Sequence, residues 1–245
     1  MKFLLYLLFG ILIVFTFVKR SDVTAFFATA KYYSGKKEKG LKLFEFADKI
    51  GSLSPENRMK YGYALLRVGQ LKKASQMLIS ASMASKNDAF KKRVKSILAL
   101  VVWKEGNLDS AIEMLEEVSA DFKTTATYQN LGLMYVLKGN ADKALEFNLE
   151  AYNYSPDDLI ILDNLAEAYV LCGDAEKAVL LYEEILEKEP HFPEPYYNYG
   201  LFLIEKGEKE RGINLIRKSL TKTFSFLSVH SKEYVENLLR EKEQL

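Results

Sequence analysis

Residues 125–158 read TATYQNLGLMYVLKGNADKALEFNLEAYNYSPDD, and this stretch determines the fold that we expect. Large and small apolar residues recur at helical spacing on both sides of Gly139. Glycine permits the backbone of a tight turn, and Pro156 cannot continue a helix. The stretch therefore predicts two helices joined by a short turn.

The same design recurs along the chain at a period of about 34 residues. Six glycines mark it, at spacings of 34, 37, 33, 34 and 34: Gly35, Gly69, Gly106, Gly139, Gly173 and Gly207. Five residues after each glycine stands a small residue, in order Gly40, Ala74, Ala111, Ala144, Ala178 and Gly212. Turn and second helix are thus repeated as one unit.

These residues resemble the tetratricopeptide-repeat family. In residues 125–158 the family pattern is carried by Tyr128, Leu131, Gly132, Tyr135, Gly139, Ala144, Ala151 and Pro156, and it departs at Asn148, where an aromatic residue is usual. The resemblance implies an all-α fold, an α-solenoid in which six helix-turn-helix units stack as a right-handed superhelix. The first helix of each unit, here called helix A, would line a concave surface.

We predict repeats over residues 21–54, 55–91, 92–124, 125–158, 159–192 and 193–226, with better agreement in the second half of the chain. Residues 227–245 are expected to form a C-terminal capping helix, because the open end of a repeat array needs a polar cover. Within it Ser231 is a candidate N-cap, and Val235, Leu238 and Leu239 would face inward.

The first twenty residues predict a membrane segment. Residues 3–18 contain no charge, Lys2 precedes them and Lys19 and Arg20 follow. Sixteen helical residues extend about 24 Å, enough to span a bilayer core only if the flanking lysines and arginine reach the interface. We interpret residues 1–20 as a single-pass transmembrane anchor; a cleaved signal segment and an interfacial helix are the alternatives.

Charge is distributed unevenly along the chain. Residues 1–104 hold 20 Lys and Arg against 6 Asp and Glu, whereas residues 105–245 hold 14 against 27. Basic residues near a membrane segment favour the cytoplasmic side, so we expect a cytoplasmic repeat domain, with an extracytoplasmic or secreted one as the alternative. We expect no nucleic acid among the partners.

The family pattern places part of each A helix on the concave groove, where we expect a protein or peptide partner. Asn130, Asn164 and Asn198 recur at one position, and an amide can both donate to and accept from an extended peptide backbone. The other predicted groove residues are Tyr63, Arg67, Trp103, Lys104, Gln129, Asp163, Glu167 and Tyr197. Local packing is the alternative interpretation for both the asparagines and Trp103.

Catalytic motifs are not evident, so we predict a protein that is not an enzyme and has no cofactor or metal. His191 and His230 have no Cys or carboxylate at the spacing of metal ligands. Cys172 is the single cysteine and excludes a disulfide-stabilised scaffold. No phosphate-binding loop or nucleophile elbow is present.

Three functional hypotheses follow. The first is a membrane-anchored scaffold or adaptor that binds an extended protein segment in its groove and assembles complexes at the membrane. The second is an electrostatic or self-assembling structural protein whose basic half lies on anionic lipid. The third, an exported protein that acts in envelope or polysaccharide assembly, rests on analogy with other anchored repeat proteins.

Overall fold

The computed structural model describes residues 19–244, and every regular element in that range is an α-helix. The predicted anchor at residues 3–18 lies outside the described residues. Among residues 19–244, no helix combines the length and the apolar character needed to cross a membrane. The described chain divides between Val101 and Val102 into two compact units.

The first unit contains four complete helices and most of a fifth. Their bounds are α1 Arg20–Tyr33, α2 Lys37–Ile50, α3 Pro55–Leu66, α4 Leu71–Met83 and α5 Asp88–Lys104. The last three residues of α5, 102–104, belong to the second unit. Helices α1 and α2 pack together, as do α3 and α4, and α3 also contacts α1 and α2. The Phe44 and Tyr61 rings stack with centroids 5.2 Å apart.

The second unit continues the pattern. Its helices are α6 Leu108–Ser119, α7 Thr125–Lys138, α8 Ala141–Tyr154, α9 Leu159–Leu171, α10 Ala175–Glu187, α11 Glu194–Glu205, α12 Lys209–Ser219 and α13 Lys232–Gln244. Helices α7, α9 and α11 are A helices, and α9 contacts both of the others. Leu162, Ala166, Tyr182 and Tyr199 are fully buried in its core.

The six glycines of the repeat have positive φ angles of 74° to 95°, as the tight turns predicted from their spacing require. Side chains with a Cβ rarely adopt this conformation, so glycine is favoured at each of these turns. Helix α8 ends at Tyr154, before Pro156, as the helix-terminating role of proline requires.

Side-chain caps begin several helices of the second unit. Thr124, Asn140 and Asp174 each accept a hydrogen bond from a backbone N–H three residues later, and Asp158 accepts from two. Such caps satisfy amide groups that the first turn of a helix leaves unpaired. Because cap and turn residues recur in register, the sequence fixes where these helices start.

Two of the small residues five positions after the turn glycines, Gly40 and Gly212, lie where two backbones touch. A Cβ atom on Gly200 of α11 would stand 2.7 Å from the carbonyl oxygen of Gly212 on α12 and 2.7 Å from Ile216 Cγ1. In α2, a Cβ on Gly40 would stand 2.7 Å from the backbone nitrogen of Tyr32. Glycine at these places therefore permits a helix approach that a side chain would block.

The last helix covers the end of the second unit. Val235 and Leu239 pack on Tyr197 and Ile216, and the backbone N–H of Tyr234 donates to Ser231 Oγ at 3.1 Å. Val235, Leu239 and the Ser231 cap are therefore found as predicted, whereas Leu238 is only half-buried. The helix begins at Lys232, and residues 220–231 form an irregular connection from α12.

We expect Gly200→Ala to destabilise the protein by about 2 kcal/mol, because the added methyl group meets a backbone carbonyl that cannot move independently. Helix propensity alone predicts the opposite sign, a gain of about 1 kcal/mol. Urea unfolding measures the difference. Gly207→Ala is the matched control: space around it is open and only its φ of 92° is strained, so a smaller loss of about 1 kcal/mol is expected. A Gly200→Ala protein as stable as the parent would contradict this packing argument.

Candidate functional site

Three carboxylates of the second unit lie on neighbouring A helices. Asp163 and Glu167 are one helical turn apart on α9, and Glu194 opens α11. Asp163 is 6% exposed, and Glu167 and Glu194 are half-buried. We call these three residues together with Tyr197 the acidic cluster. Because like charges repel when they are buried close together, the protonation of these acids needs to be considered.

Burial determines the protonation of these acids. It raises the pKa of Asp163 well above its ordinary value, and the charges of Glu167 and Glu194 raise it further. Burial likewise raises the pKa of Glu167 and of Glu194. A charged carboxylate loses solvation when it is buried, and neighbouring like charges disfavour it again. The cluster therefore holds its protons more tightly than exposed carboxylates do.

Only some of the polar atoms in the cluster have partners. The Tyr182 hydroxyl donates to Glu167 Oε1, and the backbone N–H of Val229 donates to Glu194 Oε1 at 3.2 Å. Asp163 Oδ1 is buried without a hydrogen bond. Tyr197 is 1% exposed. Its hydroxyl lies beside the backbone of His230 and is buried without a hydrogen bond.

Residues 224–230, which we call the crossing segment, lie against α11 and against Lys104, the last residue of α5. Lys104 Nζ donates to the carbonyl oxygen of Ser228 at 2.7 Å, and Glu194 accepts from Val229 as described. The Lys104 ammonium also lies 4.0 Å from the Trp103 ring centroid. Burial lowers the pKa of Lys104 to about 8, although Glu194 opposes the shift. The crossing segment is thus attached to both α5 and α11.

His230 ends the crossing segment beside aromatic rings. Its imidazole stacks on Tyr234 with centroids 4.1 Å apart and lies 5.7 Å from the Tyr197 centroid. Burial lowers the pKa of His230, and the Lys104 charge lowers it further. Both effects disfavour the imidazolium, so His230 acts here as an aromatic packing group.

In the first unit, Tyr63 and Arg67 of the predicted groove meet Tyr32 and Tyr33. Burial raises the pKa of Tyr63, whereas the Arg67 charge lowers it. Arg67 Nε and the Tyr32 hydroxyl are buried without a hydrogen-bond partner. Here a guanidinium stands among phenol rings, in contrast to the acids of the second unit.

The three asparagines predicted to line the groove differ in their surroundings. Asn164 is 3% exposed, and its side-chain amide donates to the backbone carbonyl oxygen of Gln129 on α7 at 2.9 Å. This donor is therefore used between neighbouring repeats, the packing role that was the alternative interpretation. Asn130 and Asn198 are half-buried, and their role toward a ligand stays a prediction.

The remaining predicted groove residues separate into two groups. Trp103, Lys104, Asp163, Glu167 and Tyr197 lie at or beside the acidic cluster. Gln129 instead donates to both carboxylate oxygens of Asp158, at 2.9 and 2.8 Å, and so supports the cap of α9. Tyr197 and Asp163 are buried rather than exposed. Tyr197 is covered by α13 and lies beside His230 of the crossing segment, whereas Asp163 is buried on α9.

Sequence reasoning did not include the crossing segment in the site. Ser228, Val229 and His230 lie after the last repeat, where no periodic pattern indicates their position. Tyr182 is likewise absent from the predicted groove. Its bond to Glu167 follows from the spacing of helices α9 and α10, and sequence carries no signal for it.

We expect Asp163→Asn to reduce the pH dependence of stability. The folded-state pKa of Asp163 is above its unfolded value, so this group's contribution is fully present at low pH and is lost as pH rises from about 4 toward the raised pKa. The stability of Asp163→Asn relative to the parent should therefore increase between about pH 4 and pH 7 in urea unfolding. The charged or titratable groups facing this site are Glu167, Tyr182, Glu194, Tyr197, Lys104 and His230.

Glu205→Gln, at an exposed carboxylate on α11, is the control for this measurement. The difference in unfolding free energy between Glu205→Gln and the parent should change little across the same pH range. Parallel curves for Asp163→Asn as well would contradict a buried, protonated Asp163.

Comparison with known proteins identifies the repeats. Residues 125–158 and residues 161–196 each match a family described as tetratricopeptide repeat. The TPR repeat-containing protein YvcD of Bacillus subtilis is 31% identical over 132 residues, which are 54% of this chain and 26% of that protein. TPR repeat-containing protein MJ1428 of Methanocaldococcus jannaschii is 25% identical over 66% of this chain and 28% of its own length. The chain thus spans about a quarter of the length of these curated relatives.

Solved structures share the fold. A tetratricopeptide repeat protein from Parabacteroides merdae aligns over 92% of this chain and 85% of its own with a TM-score of 0.72 at 15% identity. TTC0263, a TPR protein of Thermus thermophilus, aligns over 78% of this chain and all of its own with a TM-score of 0.65 at 18% identity. Residues 125–158 and 161–196 are tetratricopeptide repeats, and the described helices have the fold of that family, which generally provides protein-interaction scaffolds rather than enzymes.

Proposed function

We propose that this chain is a scaffold that binds an extended segment of a protein partner along its A helices, and that residues 3–18 hold it at a membrane. The observation that carries the proposal is the polar and incompletely paired lining of the A helices. Asp163 Oδ1 and the Tyr197 hydroxyl have no hydrogen bond, and the amides of Asn130 and Asn198 are only half-buried. Buried polar atoms normally have partners, so unpaired ones suit a ligand.

The membrane part of the proposal rests on the sequence of residues 3–18 and on the charges that follow. Lys19, Lys31, Lys36 and Lys39 are exposed in the first unit. Lysines near an apolar segment resist translocation and are attracted to the anionic cytoplasmic leaflet. We therefore place the repeats on the cytoplasmic side, where the scaffold would bring its partner to the membrane.

We expect the double variant Asn130→Ala, Asn198→Ala to weaken partner binding about thirtyfold, because each lost amide removes hydrogen bonds worth about 1 kcal/mol. The measurement is co-precipitation by the full chain in detergent, with quantified recovery of each co-purifying protein. Asn153→Ala is the control and should retain every partner, because Asn153 is exposed on α8, the second helix of its repeat, here called helix B. Equal recovery by the double variant and the parent would reject binding along the A helices.

A second function, direct contact with lipid, is favoured by α1. Phe26, Phe27 and Tyr33 are 68%, 56% and 64% exposed, and Val23 is exposed on the same helix. Residues 23, 26, 27 and 33 recur at the spacing of one helical face. Aromatic residues beside lysines are typical of helices that lie at a membrane interface.

We expect a fluorophore at residue 27 to enter the lipid interface of anionic vesicles. The full chain carrying Cys172→Ser and Phe27→Cys would be labelled with an environment-sensitive dye. The dye's emission should shift to shorter wavelength on addition of anionic vesicles and should be quenched by brominated lipid. The same dye on Met83→Cys, at a residue 81% exposed on α4, is the control and should remain in water. A dye at residue 27 that stays in water with anionic vesicles would exclude this contact.

A further inference from the structure

We propose that the acidic cluster, formed by Asp163, Glu167, Glu194 and Tyr197, binds a lysine or arginine side chain of the protein partner, and that the crossing segment covers this site in the unbound protein. The inference rests on the proposed function, because it names the chemistry of the partner that the A helices would bind. It specifies which atoms receive the partner's charge and what must move to admit it.

The acidic cluster contains polar atoms that have no hydrogen-bond partner. Asp163 Oδ1 and the Tyr197 hydroxyl are buried atoms without hydrogen bonds, on residues 6% and 1% exposed. Leaving such a group unpaired costs about 1–3 kcal/mol, and more for a charged one. A cationic group carries several N–H donors and would give both oxygens a partner at once.

The carboxyl groups of the cluster have the sign of charge that attracts a cation when they are ionised. Three carboxylates surround the site, and Asp163 feels the charges of both Glu167 and Glu194. Binding a cation would favour their ionised forms, so protons would leave the cluster as the ligand enters. Affinity should therefore rise with pH while the carboxylates lose their protons. Lys104, His230, Tyr182 and Tyr197 are the other titratable groups that face them.

The chain already holds one cation, Lys104, beside the cluster. The Lys104 ammonium lies against the Trp103 ring, is 5.6 Å from the Phe226 centroid, and is in the electrostatic field of Glu194. Its hydrogen bond goes to the backbone of Ser228, outside the cluster. A lysine from a partner would use the same combination of aromatic faces and carboxylates, with Asp163 as its direct acceptor.

The crossing segment explains how access could be controlled. It is bound to α5 through Lys104 and Ser228, and to α11 through Glu194 and Val229. A cation that pairs with Glu194 competes with the Val229 N–H for the same oxygen. Entry of the partner's side chain would thus release one of these attachments while it fills the cluster.

Defined peptides test the inference on the full chain in detergent. The probe is a blocked Gly-Ser peptide with one central lysine, labelled for fluorescence anisotropy, and its counterpart carries acetyl-lysine at the same place. We expect the parent to prefer the lysine peptide about tenfold near pH 7, with a smaller preference near pH 5. Asp163→Asn should abolish the preference, whereas Lys104→Met, which removes a competing cation and one attachment of the crossing segment, should increase it.

Glu205→Gln, on the same helix as Glu194, should leave the preference unchanged, and circular dichroism would establish that each variant is folded. Equal affinity for the two peptides in both the parent and Lys104→Met would overturn the inference, as would an undiminished preference in folded Asp163→Asn. If Asp163→Asn did not fold, Glu167→Gln would take its place with the same expectation. These outcomes are separate from the asparagine test: co-precipitation that depends on Asn130 and Asn198, combined with indifference to lysine, would reject this site alone.

Discussion

Backbones of consecutive helices touch in this protein, and the rest of its structure depends on that contact. Where Gly200 meets Gly212 there is no space for a methyl group, and Gly40 lies equally close to the backbone of Tyr32. Such proximity fixes the angle at which the two helices of a repeat cross. It also determines which residues of the A helix contact the next repeat, so the positions of all functional side chains follow from it.

Polar side chains hold these repeats together wherever the apolar pattern is interrupted. Asn148 occupies a position where the family usually has an aromatic residue, and it is completely buried; its amide donates to Ala144 and Gly132 carbonyl oxygens. Asn164 joins α9 to α7 in a similar way. Between A and B helices, tyrosine hydroxyls donate to glutamates, as Tyr135 does to Glu116. Acids that look like solvated surface in the sequence therefore serve in packing.

The acidic cluster differs from these polar contacts because it contains a buried acid, Asp163, whose Oδ1 has no hydrogen bond and whose pKa is raised. Fully paired polar groups stabilise a fold, whereas unpaired acids with raised pKa values reduce its stability at neutral pH. A protein that retains Asp163 without a hydrogen bond gives up stability at that place, which is typical of binding sites. The crossing segment limits the penalty by bonding to Glu194, yet it leaves Asp163 Oδ1 and the Tyr197 hydroxyl unpaired.

The sequence by itself determined the repeat, its turns and the places of closest helix approach, because glycine and alanine at fixed spacing have a local physical meaning that no distant residue alters. Resemblance to the tetratricopeptide-repeat family predicts that Asp163, Glu167, Tyr197 and Lys104 share one face. Only the tertiary structure decided that Asp163 is buried, that Asn164 is bonded within the repeats and that the crossing segment bonds to Lys104 and Glu194. These outcomes depend on contacts such as Lys104 with Ser228, which are 124 residues apart. A non-periodic connection carries no pattern from which such a contact could be predicted, since its course is set by the surfaces against which it packs.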